Sequence, residues 1–376
     1  MVAAAQVPSI EGGAAGRCTV ALLRGLAGHG IDVRAVAPFT GPRPPVPPDL
    51  SVDLVEVQPP ARGGLAGLAR RCIDPVGELG ATPWAERVRE LAAEADVIHL
   101  DQVETACVGP LAQRPTLLHL HYRARLDAAL GPPWRREFRH RLEFDAAEKR
   151  AARRFTWLLA NSSEVAGSVR RAARGRPVFE APLPLDPGDY ACHAPRTTSA
   201  DAPVAGLIGT ASWAPTAAAM TRLATVVWPL VRRSAPRARL LIAGRGTDAL
   251  AGLASPGVEV VGEVASAAEF LGQLDALVYA APRGSGTKVK VLEALACGLP
   301  VVTTRAGAEG LQPTEGVVRA ESDADLAAAT ARVLCDPSER AARSAAARAY
   351  LEERHAPIPA TAPLVELYAR MLGDAG

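Results

Sequence analysis

Short apolar segments alternate with helix-patterned segments along the whole chain, and the pattern occurs twice. In the first half MVAAAQV, IDVRAVAP, VDLVEV, DVIHL, TLLHLHY and WLLANSS read as strands. In the second half VAGLIG, RLLIAG, VEVVGEV, ALVYAAP and PVVTTRAG repeat the theme. Apolar runs of this length suit strands covered on both faces, and the intervening helices are what cover them. Helices are expected over residues 19–27, 133–155, 217–234, 288–297 and 361–372, the first ended by Gly28 and Gly30. From Leu185 to Pro203 periodicity is lost and proline, threonine and serine accumulate. The expectation is therefore an α/β chain of two Rossmann-like domains with parallel sheets. Residues 1–190 form the first, 191–203 the linker, 204–355 the second, and a helix in 356–376 packs back toward the first. Two such halves are expected to face a cleft between strand carboxyl ends, where open α/β sheets bind ligands.

Composition narrows the function. A net charge of +2 gives no general pull toward nucleic acid or an anionic membrane. The N-terminus lacks a basic region followed by a long apolar run, so no signal peptide is expected. Residues 202–221 carry no charge, but Pro203, Gly206, Gly209 and Pro215 interrupt them, which fits a strand, turn and helix start better than a membrane span. A cytoplasmic protein is expected. The six cysteines (18, 72, 107, 192, 297 and 335) show no C-x-x-C pair or metal spacing and read as free thiols.

One segment carries chemistry: RGSGTKVKVLEALACGLPVV, starting at Arg283. The chain has three lysines, and two of them, Lys288 and Lys290, stand at the start of a helix behind a glycine-rich loop. Cations there oppose the helix dipole, and a bound anion would offset them. Backbone N–H groups, dipole and two ammonium groups together make a phosphate site. A solvated lysine pair is the plainer alternative. Glu293 lies about 40° around the helix from Val289, at the border of the apolar arc. A carboxylate there suits a ribose diol, or else a cap on a neighbouring helix.

This loop resembles the donor-site signature of glycosyltransferase family 4, a retaining family with the GT-B fold. Pro8-Ser-Ile-Glu-Gly-Gly with Gly28-His-Gly-Ile-Asp-Val, Asp96-Val-Ile-His, Ala160-Asn-Ser-Ser, Trp213-Ala-Pro, Leu241-Ile-Ala-Gly and Ala306-Gly-Ala-Glu-Gly-Leu are similar to its other segments, in order. The resemblance implies transfer of a sugar from a nucleotide-diphosphate sugar to a hydroxyl acceptor, without cofactor or metal. From the charge balance no nucleic-acid partner is expected, and membrane contact is expected to be at most peripheral. Glu293 would hold the ribose. Gly286, Thr287 and Lys288 would approach the diphosphate, Lys290 would add positive charge, and Ser285 would stand at the donor-sugar hydroxyls. Gly12 and Gly13 would admit the donor phosphate, with Arg17 adding charge, and His121 would stand beside the transferred sugar. Gly262, Glu263 and Val264 would line the base. Many members carry a further glutamate where this chain has Ser285, and a basic pair where it has Ala214-Pro-Thr-Ala.

Other candidates are weaker. Gly244-Arg-Gly-Thr-Asp-Ala is a G-x-G-x-x-A that alone would suggest a dinucleotide site, and a nicotinamide-dependent oxidoreductase or a nucleotide-sugar epimerase are the rival activities. His99, His119 and His121 alternate near strand ends, but no carboxylate or cysteine shares a convincing metal spacing, so His99 and His119 read as core or cleft histidines. The run from Arg135 to Arg154, with Glu137, Glu143 and Glu148 interleaved, reads as a solvated helix face, or as a dock for an anionic membrane.

Overall fold

A computed structural model describes residues 1–11, 13–58, 79–111, 114–127, 136–190 and 202–373. The chain divides into two units, Met1–Leu185 with Pro357–Gly376, and Asp186–Ala356. Most of the 191–203 linker, and Gly12, lie outside the described residues.

Unit 1 holds a seven-stranded sheet built from β1 (Val2–Ala4), β2 (Arg34–Phe39), β3 (Ser51–Glu56), β4 (Ile98–Asp101), β5 (Thr116–Leu120), β6 (Trp157–Ala160) and β7 (Phe179–Glu180). All pairs are parallel, in the order β3-β2-β1-β4-β5-β6-β7. The described helices here are α1 (Ala14–Gly28), α2 (Pro83–Ala92), α3 (Ala124–Asp127), α4 (Arg136–Arg154) and α5 (Ser163–Ala172). Neighbouring strand residues serve opposite faces, as a period of two requires: Ala3 and Leu118 feed one core, Val2 and Leu117 the other.

Unit 2 holds β8 (Val204–Ile208), β9 (Arg239–Ala243), β10 (Val258–Gly262), β11 (Ala276–Tyr279), β12 (Val301–Thr303) and β13 (Val317–Arg319). They form a parallel sheet in the order β10-β9-β8-β11-β12-β13. Its helices are α6 (Ala214–Arg222), α7 (Trp228–Ser234), α8 (Ala267–Leu271), α9 (Val289–Ala296), α10 (Asp323–Cys335) and α11 (Pro337–Arg354). One π turn, Leu223–Val227, joins α6 to α7.

The last helix, α12 (Pro357–Gly373), belongs to unit 1. It begins earlier than residue 361 because proline is tolerated in a first helical turn, where its missing N–H has no partner to lose. Leu364, Leu367, Tyr368 and Met371 pack with Leu22, Leu23 and Leu26 of α1. Gly25 permits that approach, since a Cβ there would meet the Pro357 carbonyl oxygen at 2.3 Å.

In each sheet the strand order reverses beside the first strand, at β1/β4 and at β8/β11. In open α/β sheets the loops leaving such strands part in opposite directions, and ligands bind in the crevice at the carboxyl ends. Among the described residues no helix is long and apolar enough to cross a membrane. Cys18, Cys107 and Cys335 form no disulfide, but Cys297 is disulfide-bonded, which corrects the reading of all six as free thiols; Cys72 and Cys192 lie outside the described residues. A pairing without local spacing leaves no trace in the sequence.

Candidate active site

The reversal point of unit 2 is formed by the exits of β8 and β11. From Tyr279 the chain runs through the glycine-rich loop into α9. Gly284 (φ +153°) and Gly286 (φ +72°) take up backbone that side-chain-bearing residues rarely adopt. Lys288 is the N-cap of α9, and its ammonium turns back to donate to the carbonyls of Ser285, at 3.0 Å, and Gly286. The Gly286 N–H donates to Glu309 Oε1 at 2.9 Å, so the loop is braced from a second segment.

Lys290 behaves differently. Its Nζ donates to Thr216 Oγ1 at 3.3 Å and lies 4.7 Å from the centre of the Tyr279 ring. Gly209, just past β8, makes room for it: a Cβ there would meet Lys290 Cε at 2.9 Å. Desolvation lowers the Lys290 pKa to about 8, Lys288 adds to the shift, and Glu293 opposes it. The two lysines that the sequence presents as a pair thus have separate jobs. Lys288 closes the loop, while Lys290 is a cation held without a carboxylate hydrogen bonded to it among the described residues.

Glu293, one turn further along α9, is 3% exposed and accepts a hydrogen bond from the Tyr190 hydroxyl at 2.9 Å. Ser285 and Thr287 are buried with it. Loop, lysines and Glu293 therefore form one group. Gly262, Glu263 and Val264 stand at the end of the edge strand β10, where Glu263 is exposed and pairs with Arg245 at 3.4 Å. Gly244 of the G-x-G-x-x-A run has a packing reason, because a Cβ there would meet the Gly209 carbonyl oxygen at 2.2 Å. Tyr190, Thr216 and Glu309 were not picked out from the sequence. Glu309 and Thr216 left a signal, each lying inside a segment compared with the family's.

In unit 1 the site residues gather at the ends of β4 and β5. Gly13 is the exposed N-cap of α1, and Arg17 is half-buried in its first turn. Thr19 of the same helix donates to Asp101 Oδ2 at 3.0 Å, and His121 Nε2 donates to Asp101 Oδ1 at 2.7 Å. Burial pushes the Asp101 carboxyl up, but the imidazoles around it, His121 foremost, hold it well below the usual range. Gln102 follows at φ +75°, a conformation rare outside glycine, and its N–H is held by the His119 carbonyl at 3.1 Å. Asp101 corrects the reading that no carboxylate accompanies the three histidines. It sits two residues after His99, on the same strand, where alternation sends both side chains to one face.

Buried charge fixes the segment after His121. The Tyr122 hydroxyl donates to Glu104 at 3.1 Å. Arg123, fully buried, lies 3.3 Å from Glu148 and 3.0 Å from Asp145, and Glu148 also accepts the Ala124 N–H. Glu148 is itself 0% exposed, which corrects its placement on a solvated face. The charged helix keeps one carboxylate inward because Arg123, from another element, needs a partner.

A model for "Glycosyl transferase 4-like domain" matches residues 13–186, and one for "Glycosyl transferases group 1" matches residues 202–336. No curated protein sequence matches the chain. Among solved structures, HepE from Anabaena in complex with UDP and glucose superposes with a TM-score of 0.67 at 17% identity, over 98% of both chains. WaaG, a glycosyltransferase involved in lipopolysaccharide biosynthesis, gives 0.63 at 16%, over 99% of this chain and 100% of that one. A glycosyltransferase from Rickettsia africae gives 0.62 at 13%, over 99% and 98%. At these identities the likeness establishes the fold, and the fold is GT-B. With one family model matching in each of its two units, the chain belongs to the family 4-like, group 1 glycosyltransferases.

Proposed function

We propose that the protein transfers a sugar from a UDP-sugar to a hydroxyl acceptor with retention of anomeric configuration. The observation that carries this reading is Lys290, a desolvated ammonium at the strand-order reversal of unit 2, beside a glycine-rich loop and a buried carboxylate. A diphosphate is the ligand such a cation lacks, and a ribose diol is what Glu293 can accept from. HepE, which shares the fold, binds UDP and UDP-glucose.

The chemistry follows from the charges. As the bond from anomeric carbon to phosphate oxygen breaks, negative charge grows on the diphosphate. Lys290 and the α9 N-terminus stabilise it without reorganising. The departing oxygen can accept the acceptor's proton on the same face of the sugar. The protein then has to place the reactants rather than supply a strong base. His121, whose Nε2–H is held by Asp101, accepts through Nδ1 from a hydroxyl of the transferred sugar in this reading.

Three outcomes are expected. UDP should bind in calorimetry, and the protein should turn over one of a panel of UDP-sugars with a hydroxyl acceptor; no affinity for any nucleoside diphosphate would overturn the proposal. His121→Ala should lower kcat by about tenfold, ~1.4 kcal/mol on the barrier, with UDP affinity nearly unchanged. An unchanged rate in the folded variant would return His121 to a packing role. Glu293→Gln keeps the shape but loses a charge-assisted bond of roughly 1.5–3 kcal/mol, so donor affinity should fall by about ten- to a hundredfold. Uridine, which carries the same ribose, should lose as much as UDP.

A further inference from the structure

Asp101 stands among three imidazoles. His99, Asp101 and His119 are 1%, 1% and 2% exposed, and one donor atom from each lies within 4.8 Å of the others. The His99 and His119 rings are 5.4 Å apart, and those of His119 and His121 are 4.2 Å apart. Among the described residues, neither ring nitrogen of His119 has a hydrogen-bond partner, nor does Nε2 of His99. The His119 Nδ1 to Asp101 Oδ1 separation, 3.8 Å, is too long to count as one. Buried polar atoms are partnered as a rule. His99 Nε2 and one ring nitrogen of His119, beside one carboxylate, therefore ask for a common ligand.

The surroundings say which kind. His99 Nδ1 shares a 2.6 Å hydrogen bond with the Tyr368 hydroxyl, which fixes the ring and leaves Nε2 facing the cluster. Thr19 fixes Asp101 Oδ2 in the same way. Two of the three side chains, His99 and Asp101, are thus oriented by outer partners, as metal ligands commonly are. Two imidazoles and a carboxylate suit a borderline divalent cation rather than calcium or magnesium.

We infer that His99, Asp101 and His119 bind one zinc ion at the carboxyl ends of β4 and β5, an assignment that does not rest on the reaction proposed above. Tetrahedral zinc holds its donor atoms ~3.4 Å apart, so the side chains must draw in by about 1 Å. Three protein ligands leave a fourth position for an exchangeable one. Because Asp101 also takes the His121 N–H, the ion and His121 share one carboxylate.

The test uses the full-length protein, stripped with a chelator and titrated with zinc against a chromophoric competitor. One equivalent should bind, and cobalt in its place should give visible d–d absorption. His119→Gln should weaken zinc at least tenfold and abolish those bands, while His29→Ala, outside the cluster, should change neither. Zinc should raise the melting temperature of the wild type. Absence of stoichiometric zinc and cobalt bands in the wild type overturns the assignment, whether or not the variant folds. So does equal binding by wild type and His119→Gln.

Discussion

Replacing Lys290 with methionine should make the ligand-free protein more stable and the ligand-bound protein much weaker. The pKa drop from 10.5 to about 8 corresponds to ~3 kcal/mol at roughly 1.4 kcal/mol per unit. Lys290 is half-buried as a whole, which trims this to about 2 kcal/mol. That exceeds the ~0.3–1 kcal/mol expected of a charge at a helix end, because burial and not the dipole dominates. The depressed pKa also sets a pH window. Unfolded chains bind a proton here between pH 8 and 10.5 that the native state releases, so wild-type stability should rise with pH over that window and the variant's should not. UDP should lose about 100- to 1,000-fold in affinity, the scale of removing one buried donor from developing or fixed anionic charge, while uridine loses little. Calorimetry with both ligands, paired with melting curves, checks this. Equal losses for UDP and uridine would remove Lys290 from the phosphate site. Lys288→Ala should act differently, since its ammonium closes the loop onto two carbonyls, and its loss should destabilise.

The second large effect is expected at Arg123. Arg123→Met leaves Glu148 buried without its cation, and breaking such a pair costs about 3–5 kcal/mol. Urea unfolding should show the midpoint falling accordingly, and adding Glu148→Leu should recover most of it, because two apolar side chains can replace a buried ion pair. Desolvation already raises Glu148 to about 7 against the pull of Arg123. The native state thus holds a proton between about pH 4.5 and 7 that the unfolded chain gives up, so wild-type stability should fall as pH rises through that range. A midpoint within error of wild type would mean that water, not Arg123, meets the carboxylate. His121 lies two residues before Arg123, so turnover should suffer with stability.

These residues also mark where reading the sequence stops. The alternation of apolar runs with helical segments was enough for two parallel sheets, and the glycine loop with its lysines is what directs the proposed donor site to the second half. β7 and β13 escaped notice because two or three residues carry no periodicity. Asp101 escaped because its partners, Thr19 and His121, lie far along the chain, and a carboxylate at a strand end looks like the start of a loop. Glu148 was hidden among other charges on a helix whose outward faces are polar, and Tyr190 by the proline-rich run that follows β7. Each is a buried polar group whose partner is distant in sequence. Patterns report faces and periods, but pairings across a fold have no local signature.

The discontinuity of unit 1 has a consequence for how the molecule is made. Synthesis runs from the N-terminus, so strands β1 to β7 emerge first and α12 emerges only after all of unit 2. At 5–20 residues per second, roughly 10–30 s separate them. Through that interval Leu22, Leu23 and Leu26 lack the side chains that bury them in the finished protein. The nascent first unit must wait on the ribosome with an apolar stripe bare, a natural place for a chaperone to hold it. A premature stop anywhere in unit 2 would release chains with that stripe permanently open, so such truncation products should be cleared by proteolysis rather than persist as half-enzymes.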